Sequence, residues 1–348
     1  MGLKRTEARH DTMIPARLRR PPLGPPALRG LLRGALLGAA LGIGMAQADP
    51  GRLEPLKFRG NPARLNAFLY VPNRLAERPA LVVALHGCGQ RASDSDDETG
   101  WTALAEEAGF LLLLPEQSPY NSPARCFNWF SPKDYRRDRG EPESIRHQVE
   151  TLLAQYPIDR NRIFVTGLSA GAGMTSVLLA THPDLFAGGA VMAGLPYGCA
   201  ANAFQALPCM QLGNRLVSGP AAWAGRVREA APPGTNRWPR VAIWHDAGDP
   251  VVNPFNAESS MLQWTAVHGI DQVPEIDEGI GPHRRRVYAD SAGRPQVELW
   301  ITQGVGHATA TDEETGCGHD DPKRQTDFVT DVDLCATRHI ARFWGLVP

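Results

Sequence analysis

Residues 163–173 read IFVTGLSAGAG, with Ser169 at the centre of a Gly-x-Ser-x-Gly motif. The residues before Gly167 favour a strand, and the small residues after Ser169 open a stretch that favours a helix. A serine on such a sharp turn projects its hydroxyl above the sheet, while the helix N-terminus behind it favours developing negative charge. The motif therefore predicts that Ser169 is a nucleophile on a strand–turn–helix elbow.

Short apolar runs alternate with helical segments over the rest of the chain. The runs have the length and hydrophobicity of strands, and they lie at residues 65–71, 80–85, 110–114, 163–165, 189–193, 241–244 and 297–302, the last expected to be the final strand. Helices are predicted at residues 102–108, 144–155, 172–181, 258–267 and, as a closing helix, 332–344. Long loops are expected at residues 115–143 and 195–239. The alternation and the elbow together predict an α/β-hydrolase fold, with a mainly parallel sheet and helices on both faces.

The first 48 residues differ from the rest, because they carry eight Lys or Arg residues against two acidic ones. An uncharged run rich in Leu, Ala and Gly follows at residues 34–45, and Ala46-Gln47-Ala48 matches the small-residue rule for signal cleavage before Asp49. That run is well short of the roughly 20 residues that a membrane-spanning helix needs. We expect residues 1–48 to be an export signal rather than an anchor, with no stable membrane insertion after cleavage and a periplasmic or extracellular destination.

The remainder, residues 49–348, contains 28 Lys or Arg residues and 35 Asp or Glu residues, a net charge of −7. This balance gives no basic footprint for nucleic acid. The length suffices for one large core, and no Ser/Thr-rich or Pro-rich linker divides it. We therefore expect residues 49–348 to form one catalytic domain.

All six cysteines lie in this expected exported part. An even number in an exported chain indicates three disulfides. Six cysteines allow 15 pairings; short loops favour Cys199–Cys209 and Cys317–Cys335, which leaves Cys88 with Cys126. No Cys-x-x-Cys motif or Cys/His cluster of zinc spacing occurs, so we expect no metal site.

A serine nucleophile needs a base and an acid, which in this fold follow in the order Ser, Asp/Glu, His. Asp249 follows the apolar run 241–244 and is favoured over Asp246, because the Gly248 turn lets a side chain just beyond it bend back across the strand ends. His307 follows the last predicted strand within a glycine-containing loop and is the expected base. Seven other histidines lack such a context and are expected to be structural: His86, His182, His245, His268, His283, His319 and His339.

The chemistry also needs two backbone N–H groups to hold an oxyanion. One is expected from Ala170, directly after the nucleophile, and the other from Cys88, in the glycine-containing segment LHGCGQ at residues 85–90. The Cys88 thiol would then brace this loop through Cys126. Trp129 is a candidate to pack against the acyl chain or aromatic ring of a substrate.

Five segments carry a resemblance to a known family: LVVALHGCGQ at residues 81–90, GFLLLLPEQ at 109–117, RCFNWF at 125–130, GLSAGAG at 167–173 and AGLPYGC at 193–199. Together they resemble the extracellular poly(3-hydroxybutyrate) depolymerases and the related feruloyl esterases. The resemblance implies a secreted serine carboxylesterase, with Ser169, Asp249 and His307 on the triad positions and Cys88 on the oxyanion position. Longer members of the family carry a polymer-binding domain after the catalytic part. By contrast with them, we expect this chain to cleave soluble oligomers faster than crystalline polymer.

We therefore expect a secreted enzyme that hydrolyses poly(3-hydroxybutyrate) or its oligomers through an acyl-enzyme, with the ester substrate as its partner and with no cofactor. Three alternatives stay open. The first is a feruloyl or acetylxylan esterase, which hydrolysis assays with the two kinds of ester would separate. The second is a catalytically silent binding protein on a hydrolase fold, which labelling with a fluorophosphonate probe would reveal. The third is a serine peptidase, which would usually add a gating domain or a substrate-terminus pocket, for which the sequence offers no segment.

Overall fold

The apolar runs of the sequence form the centre of one large sheet in the computed structural model. The structure describes residues 48–212, 219–318 and 327–348, so the predicted export signal lies outside the described residues except for Ala48. The strands are β1 (Leu53–Pro55), β2 (Asn66–Tyr70), β3 (Leu81–Leu85), β4 (Leu111–Glu116), β5 (Ile163–Leu168), β6 (Gly188–Met192), β7 (Arg240–Asp246), β8 (Ile276–Ile280), β9 (His283–Ala289), β10 (Pro295–Thr302), β11 (Thr309–Thr311) and β12 (Val329–Asp331). The helices are α1 (Ala92–Asp97), α2 (Trp101–Ala108), α3 (Gly140–Gln155), α4 (Ala170–Thr181), α5 (Ala203–Leu212), α6 (Gly219–Ala230), α7 (Phe255–His268) and α8 (Ala336–Trp344).

Within the described ranges, ten strands join in the order β1-β2-β4-β3-β5-β6-β7-β10-β9-β8. The six strands from β4 to β10 pair in parallel, and the antiparallel pairs lie at the two margins of the sheet. Parallel strands need crossover helices, which cover both faces. The α/β-hydrolase fold expected from the sequence is confirmed.

The central strands bury both of their faces, as their continuous apolar runs require. Val83 of β3 packs in the core with α3, α4, α6 and α7, whereas its neighbour Val82 packs in the core with α2 and α8. Successive side chains of a strand point to opposite faces, so each core receives alternate residues. This burial on both faces fixes the register of the central strands relative to one another, and the register determines where their carboxyl ends lie at the edge of the sheet.

Two predictions about the connections were wrong. Residues 195–239 are not one long loop, because they contain α5 and α6; Pro208 inside α5 and Gly219-Pro220 at the start of α6 obscure the helical pattern. β10 is also not the last strand, since β11 and β12 pair with each other outside the main sheet.

The hairpin of β8 and β9 was not predicted either. It lies at the margin of the sheet, and charged pairs such as Arg284 with Asp277 replace the apolar run that marks a buried strand. Among the described residues no helix has the length and apolar character to cross a membrane. No group of His, Cys, Asp or Glu suited to a metal ion occurs in that part of the chain.

Candidate active site

Ser169 lies on the turn between β5 and α4, with a φ of 56° and a ψ of −116°. A positive φ is strained for a residue with a side chain, and such strain is typical of functional sites. The motif glycines make the turn sterically feasible: a Cβ on Gly171 would lie 2.3 Å from the carbonyl oxygen of Leu85, and one on Gly167 would lie 2.4 Å from the Gly171 carbonyl carbon. The elbow predicted from the sequence is thus present, packed tightly against the end of β3.

The structure brings Ser169, His307 and Asp249 into one chain of hydrogen bonds. His307 Nε2 lies 2.8 Å from Ser169 Oγ, and His307 Nδ1 lies 2.8 Å from Asp249 Oδ2. Asp249 follows β7 and His307 follows β10, two adjacent parallel strands whose carboxyl ends meet at the same edge of the sheet. An imidazole that donates from Nδ1 to a carboxylate can accept the hydroxyl proton at Nε2, so this arrangement can activate a serine nucleophile.

The Asp249 carboxylate is buried and held on both oxygens. Its Oδ1 accepts the backbone N–H groups of Val251 and Val252 at 2.8 and 2.9 Å, while Oδ2 faces His307. Burial acts to raise the pKa of this carboxyl, but hydrogen bonds from His245, His307 and the Val252 N–H outweigh it, so the pKa of Asp249 is lowered. A permanently ionised carboxylate is what a histidine base needs beside it.

His245 was expected to be structural, yet it reaches the same carboxylate. Its Nε2 lies 2.8 Å from the Val252 carbonyl oxygen and 3.3 Å from Asp249 Oδ2. The side chain is buried at the end of β7, four residues before Asp249. The spacing alone gave no signal for this contact, because it depends on how the turn after β7 folds back.

Asp246, the rival acid, makes no contact with His307. Its Oδ1 accepts the Gly248 N–H at 2.8 Å, and its Oδ2 accepts the Val305 N–H at 2.9 Å. The Thr302 hydroxyl also points to Oδ2, at 3.3 Å. Asp246 therefore joins the loop of Asp249 to the loop of His307 and takes no part in the hydrogen-bond chain of Ser169, His307 and Asp249.

The two backbone N–H groups predicted to hold an oxyanion belong to Cys88, in the loop after β3, and to Ala170, in the first turn of α4 directly after Ser169. Among the described residues neither group donates to a protein acceptor. Gln90 fixes the Cys88 loop, because its Oε1 accepts the Gly87 N–H at 2.8 Å. His86 fixes it from the other side: Nδ1 lies 2.7 Å from the Gly87 carbonyl oxygen, and Nε2 accepts the Gln117 N–H at 3.0 Å. Burial lowers the pKa of His86, which favours this neutral imidazole.

All six cysteines are paired, as Cys88–Cys126, Cys199–Cys209 and Cys317–Cys335. These are the pairs predicted from the sequence. The first joins the Cys88 loop to the segment after β4, and the second ties α5 to the segment after β6. The first bridge therefore lies directly beside the proposed oxyanion site.

Glu141 is a functional neighbour that the sequence gave no reason to select. It lies buried in the first turn of α3 and accepts hydrogen bonds from the Asn128 backbone N–H at 2.7 Å, the Asn128 amide at 2.7 Å and the Gln117 amide at 2.5 Å. Burial raises the pKa of Glu141 to about 7, and the nearby charge of Asp134 acts in the same direction. This carboxyl anchors both sides of the segment that carries Cys126.

Trp129 packs inside the protein beside this segment and is 7% exposed. Its ring meets Phe130 edge-on at 5.2 Å and fills the space beside Gly173, where a Cβ would lie 2.6 Å from its Cγ. The Trp129 side chain therefore packs against α4 at Gly173. Contact between Trp129 and a substrate stays a prediction.

Comparison with known proteins agrees with this geometry. The family model described as Esterase PHB depolymerase matches residues 65–277. This chain belongs to that family. It is a carboxylesterase of the serine hydrolase type, as the resemblance in the sequence implied. The esterase is 39% identical to poly(3-hydroxyalkanoate) depolymerase C of Paucimonas lemoignei, over 83% of this chain and 69% of that protein.

Two further relatives show the range of named activities around this esterase. Feruloyl esterase B of Talaromyces stipitatus is 31% identical over 73% of this chain and 71% of its own length. The structure of an acetyl xylan esterase from Aspergillus awamori superposes with a TM-score of 0.72 and 26% identity, covering 85% of this esterase and all of that chain. The proteins similar to this chain therefore include one named as a poly(3-hydroxyalkanoate) depolymerase and others named as feruloyl or acetyl xylan esterases.

Proposed function

We propose that this esterase hydrolyses poly(3-hydroxybutyrate) or its oligomers, with Ser169, His307 and Asp249 as the catalytic triad. The observation that carries the proposal is the unbroken hydrogen-bond chain from the Asp249 carboxylate through both nitrogens of His307 to the Ser169 hydroxyl. Buried carboxylate, imidazole and hydroxyl in that order are the arrangement that activates serine in acyl transfer.

In the proposed reaction, Ser169 Oγ attacks the ester carbonyl while its proton passes to His307 Nε2. The Cys88 and Ala170 N–H groups hold the negative charge that develops on the carbonyl oxygen. His307 then protonates the leaving alcohol, and the Ser169 acyl-enzyme forms. A water molecule that loses its proton to His307 releases the acid and restores Ser169. Asp249 stays ionised throughout and stabilises the imidazolium.

The choice of a polyester rests on two observations. The depolymerase relative is 39% identical to this chain. In addition, exposed apolar side chains lie on the loop after the proposed acid and on α5: Val251 is 40% exposed, and Phe204 and Leu207 on α5 are 93% and 64% exposed. α5 is tied to the loop after Asp249, because the Asn253 N–H donates to the Met210 carbonyl at 2.8 Å. An aliphatic polyester matches such a surface better than a hydroxyl-rich sugar does.

A panel of esters tests this choice. Hydroxybutyrate trimer, acetylated xylan, methyl ferulate and nitrophenyl acetate are offered to wild type and to the Ser169→Ala and His307→Ala variants. We expect the highest kcat/KM on the hydroxybutyrate trimer and nearly complete loss of activity on every ester in both variants, with folding unchanged. Activity that survives in Ser169→Ala would contradict the triad assignment.

The second candidate function is an acetylxylan or feruloyl esterase, which the superposition on the acetyl xylan esterase favours. A higher kcat/KM on acetylated xylan or methyl ferulate than on the trimer would move the assignment there while leaving the triad intact. No turnover together with no fluorophosphonate labelling of Ser169 would instead indicate a silent binding protein.

We also propose that residues 1–48 direct export and that residues 49–348 form the mature enzyme. Support comes from the leader composition and from three disulfides, which form in oxidising compartments. N-terminal sequencing of the exported protein is expected to start at Asp49. A first residue inside the apolar run 34–45 would place the cleavage site elsewhere.

A further inference from the structure

A cleft of about 870 Å³ opens at the edge of the sheet opposite Ser169. Its walls include Arg162, Arg240 and Pro295, which stand at the starts of β5, β7 and β10, whereas Ser169 follows the end of β5. Six residues of strand separate the two ends, on the order of 20 Å. The cleft is therefore distinct from the proposed active site.

The cleft carries an excess of positive charge. Arg162, Arg237 and Arg240 line it, and among the described residues none of the three forms an ion pair with a carboxylate; Arg237 donates instead to the Asn161 amide oxygen at 3.0 Å. The acidic residue among the described lining residues is Asp290. Asp290 Oδ2 already binds Arg294, whose Nε and Nη2 lie 2.9 and 2.8 Å away. Asp290 therefore does not neutralise Arg162, Arg237 or Arg240.

Arg240 is the clearest case of positive charge without a neighbouring carboxylate. Its side chain is half-buried, its Nη2 donates to the Trp344 carbonyl oxygen at 3.0 Å, and its guanidinium lies 5.4 Å from the centre of the Phe343 ring. Burial lowers the pKa of Arg240, and no carboxylate opposes that effect. A guanidinium has five N–H donors, and a partly buried charge is costly without a counter-charge, so an anion in the cleft would stabilise this arrangement.

The other walls of the cleft are suited to a sugar. Asn161, Asn236 and Gln296 contribute amide groups, and the half-buried Trp238 contributes an aromatic surface. Asn161 Oδ1 already accepts from Arg237 at 3.0 Å and Gln296 Nε2 already donates to Asp290 at 2.9 Å, so a ligand would use the remaining donor and acceptor atoms of these amides. Amides bind hydroxyl groups and an indole packs against the apolar face of a sugar ring, while guanidinium binds carboxylate through paired hydrogen bonds. The volume exceeds what one inorganic anion needs and lies in the range of sites for larger ligands.

We propose that this cleft binds an acidic saccharide of the uronic acid type, with Arg162, Arg237 and Arg240 holding its carboxylates. The site is independent of the ester chemistry, because it lies at the opposite edge of the sheet. It would attach the enzyme to an acidic polysaccharide while Ser169 stays accessible to its ester.

Calorimetric titration with tetragalacturonate tests the proposal, with neutral xylotetraose and inorganic phosphate as comparison ligands. We expect wild type to bind tetragalacturonate saturably and more weakly at high salt, because the contacts are ionic. Binding should weaken by about tenfold or more in Arg162→Gln and in Arg240→Gln. Hydrolysis of nitrophenyl acetate should stay at the wild-type rate in both variants.

Arg228→Gln is the matched control, because Arg228 also donates to a backbone carbonyl, that of Ala266 at 2.7 Å, but lies outside the cleft. Its affinity for tetragalacturonate should equal that of wild type. The Arg162 side chain makes no hydrogen bond or ion pair within the described residues, so Arg162→Gln breaks none and keeps the test valid if Arg240→Gln unfolds. The proposal is overturned if tetragalacturonate does not bind, if xylotetraose or phosphate binds equally well, or if Arg228→Gln loses as much affinity as the cleft variants.

Discussion

The two sides of Ser169 are held by different means. On the oxyanion side, which comprises residues 86–90 and 117–128, a disulfide connects the loops after β3 and β4, and the buried Glu141 carboxyl holds both ends of the second loop. On the acid–histidine side, which comprises residues 246–252 and 303–307, no disulfide is present among the described residues, and the Asp246 and Asp249 carboxylates hold the loops.

The difference follows from what each side has to do. Backbone N–H groups must be kept rigid, and a covalent bridge with a hydrogen-bonded anchor achieves that. An imidazole must instead be oriented and kept ready to accept a proton, which requires an ionised carboxylate in hydrogen-bond contact. Variants on the two sides should therefore fail in different ways.

The largest effect is expected at the acid. Asp249→Asn keeps the shape of the side chain but removes the charge that stabilises the His307 imidazolium, so kcat should fall by about 10⁴ while the protein stays folded. Stopped-flow or steady-state hydrolysis of nitrophenyl acetate measures this loss. A fall of less than about tenfold would show that another group orients His307.

The oxyanion side should respond to loss of its bridge in both stability and rate. Cys88→Ser combined with Cys126→Ser should lower the free energy of unfolding by about 2–5 kcal/mol, and it should lower kcat more than it changes KM, because the Cys88 N–H is proposed to act in the transition state. Urea unfolding and steady-state kinetics measure the two effects.

The matched control is the double variant Cys317→Ser with Cys335→Ser, which removes the bridge between the segment after β11 and the start of α8. It should lose stability without a change in kcat. Equal losses of kcat in the two double variants would contradict a special role for the Cys88 bridge.

The Glu141 anchor should make stability depend on pH. Because its pKa in the folded protein is raised from 4.5 to about 7, native Glu141 keeps its proton where the unfolded chain has released it. The free energy of unfolding contributed by Glu141 should therefore fall as the pH rises from about 4.5 to about 7, by up to about 3 kcal/mol, and stay level above that.

Urea unfolding of wild type and Glu141→Gln between pH 5 and pH 8 measures this contribution as the difference between the two proteins. Buried His86 and His182 have lowered pKa values, act in the opposite direction and are common to both proteins, so the difference removes them. Wild type should lose its advantage over the variant as the pH rises. A growing advantage would show that the network stabilises the ionised carboxylate instead.

The smallest effect is expected at Asp246. The sequence alone predicts that Asp246→Asn changes activity very little. The structure changes that expectation, because the carboxylate accepts the Gly248 and Val305 N–H groups. Asp246→Asn should lower kcat/KM by about tenfold and the free energy of unfolding by about 1–2 kcal/mol, through weaker support of both loops. Steady-state kinetics of Asp246→Asn and Asp249→Asn, measured side by side, give the comparison. If Asp246→Asn lost as much kcat/KM as Asp249→Asn, the assignment of the acid would be reversed.

Local pattern was enough for much of the fold and for the members of the proposed triad. Apolar runs and the elbow motif predicted the central strands, α4 and the position of Ser169. Strand burial and tight turns depend on residues that are close together in the sequence, so a short stretch is enough to predict them. The hairpin β8–β9 escaped prediction because β8 is exposed and both strands are rich in charged residues, and α5 escaped because Pro208 interrupts its pattern.

The sequence by itself determined the fold class, and it predicted the export-type leader, the cysteine pairs and the order Ser169, Asp249, His307 of the proposed triad. The tertiary structure alone decided which groups support them: Asp246 meets Val305 across 59 positions, Glu141 reaches Gln117 across 24, and His245 turns back to Asp249. Buried polar groups find partners wherever the topology brings donors and acceptors together, and that meeting depends on the packing of strands and helices rather than on any short stretch of sequence.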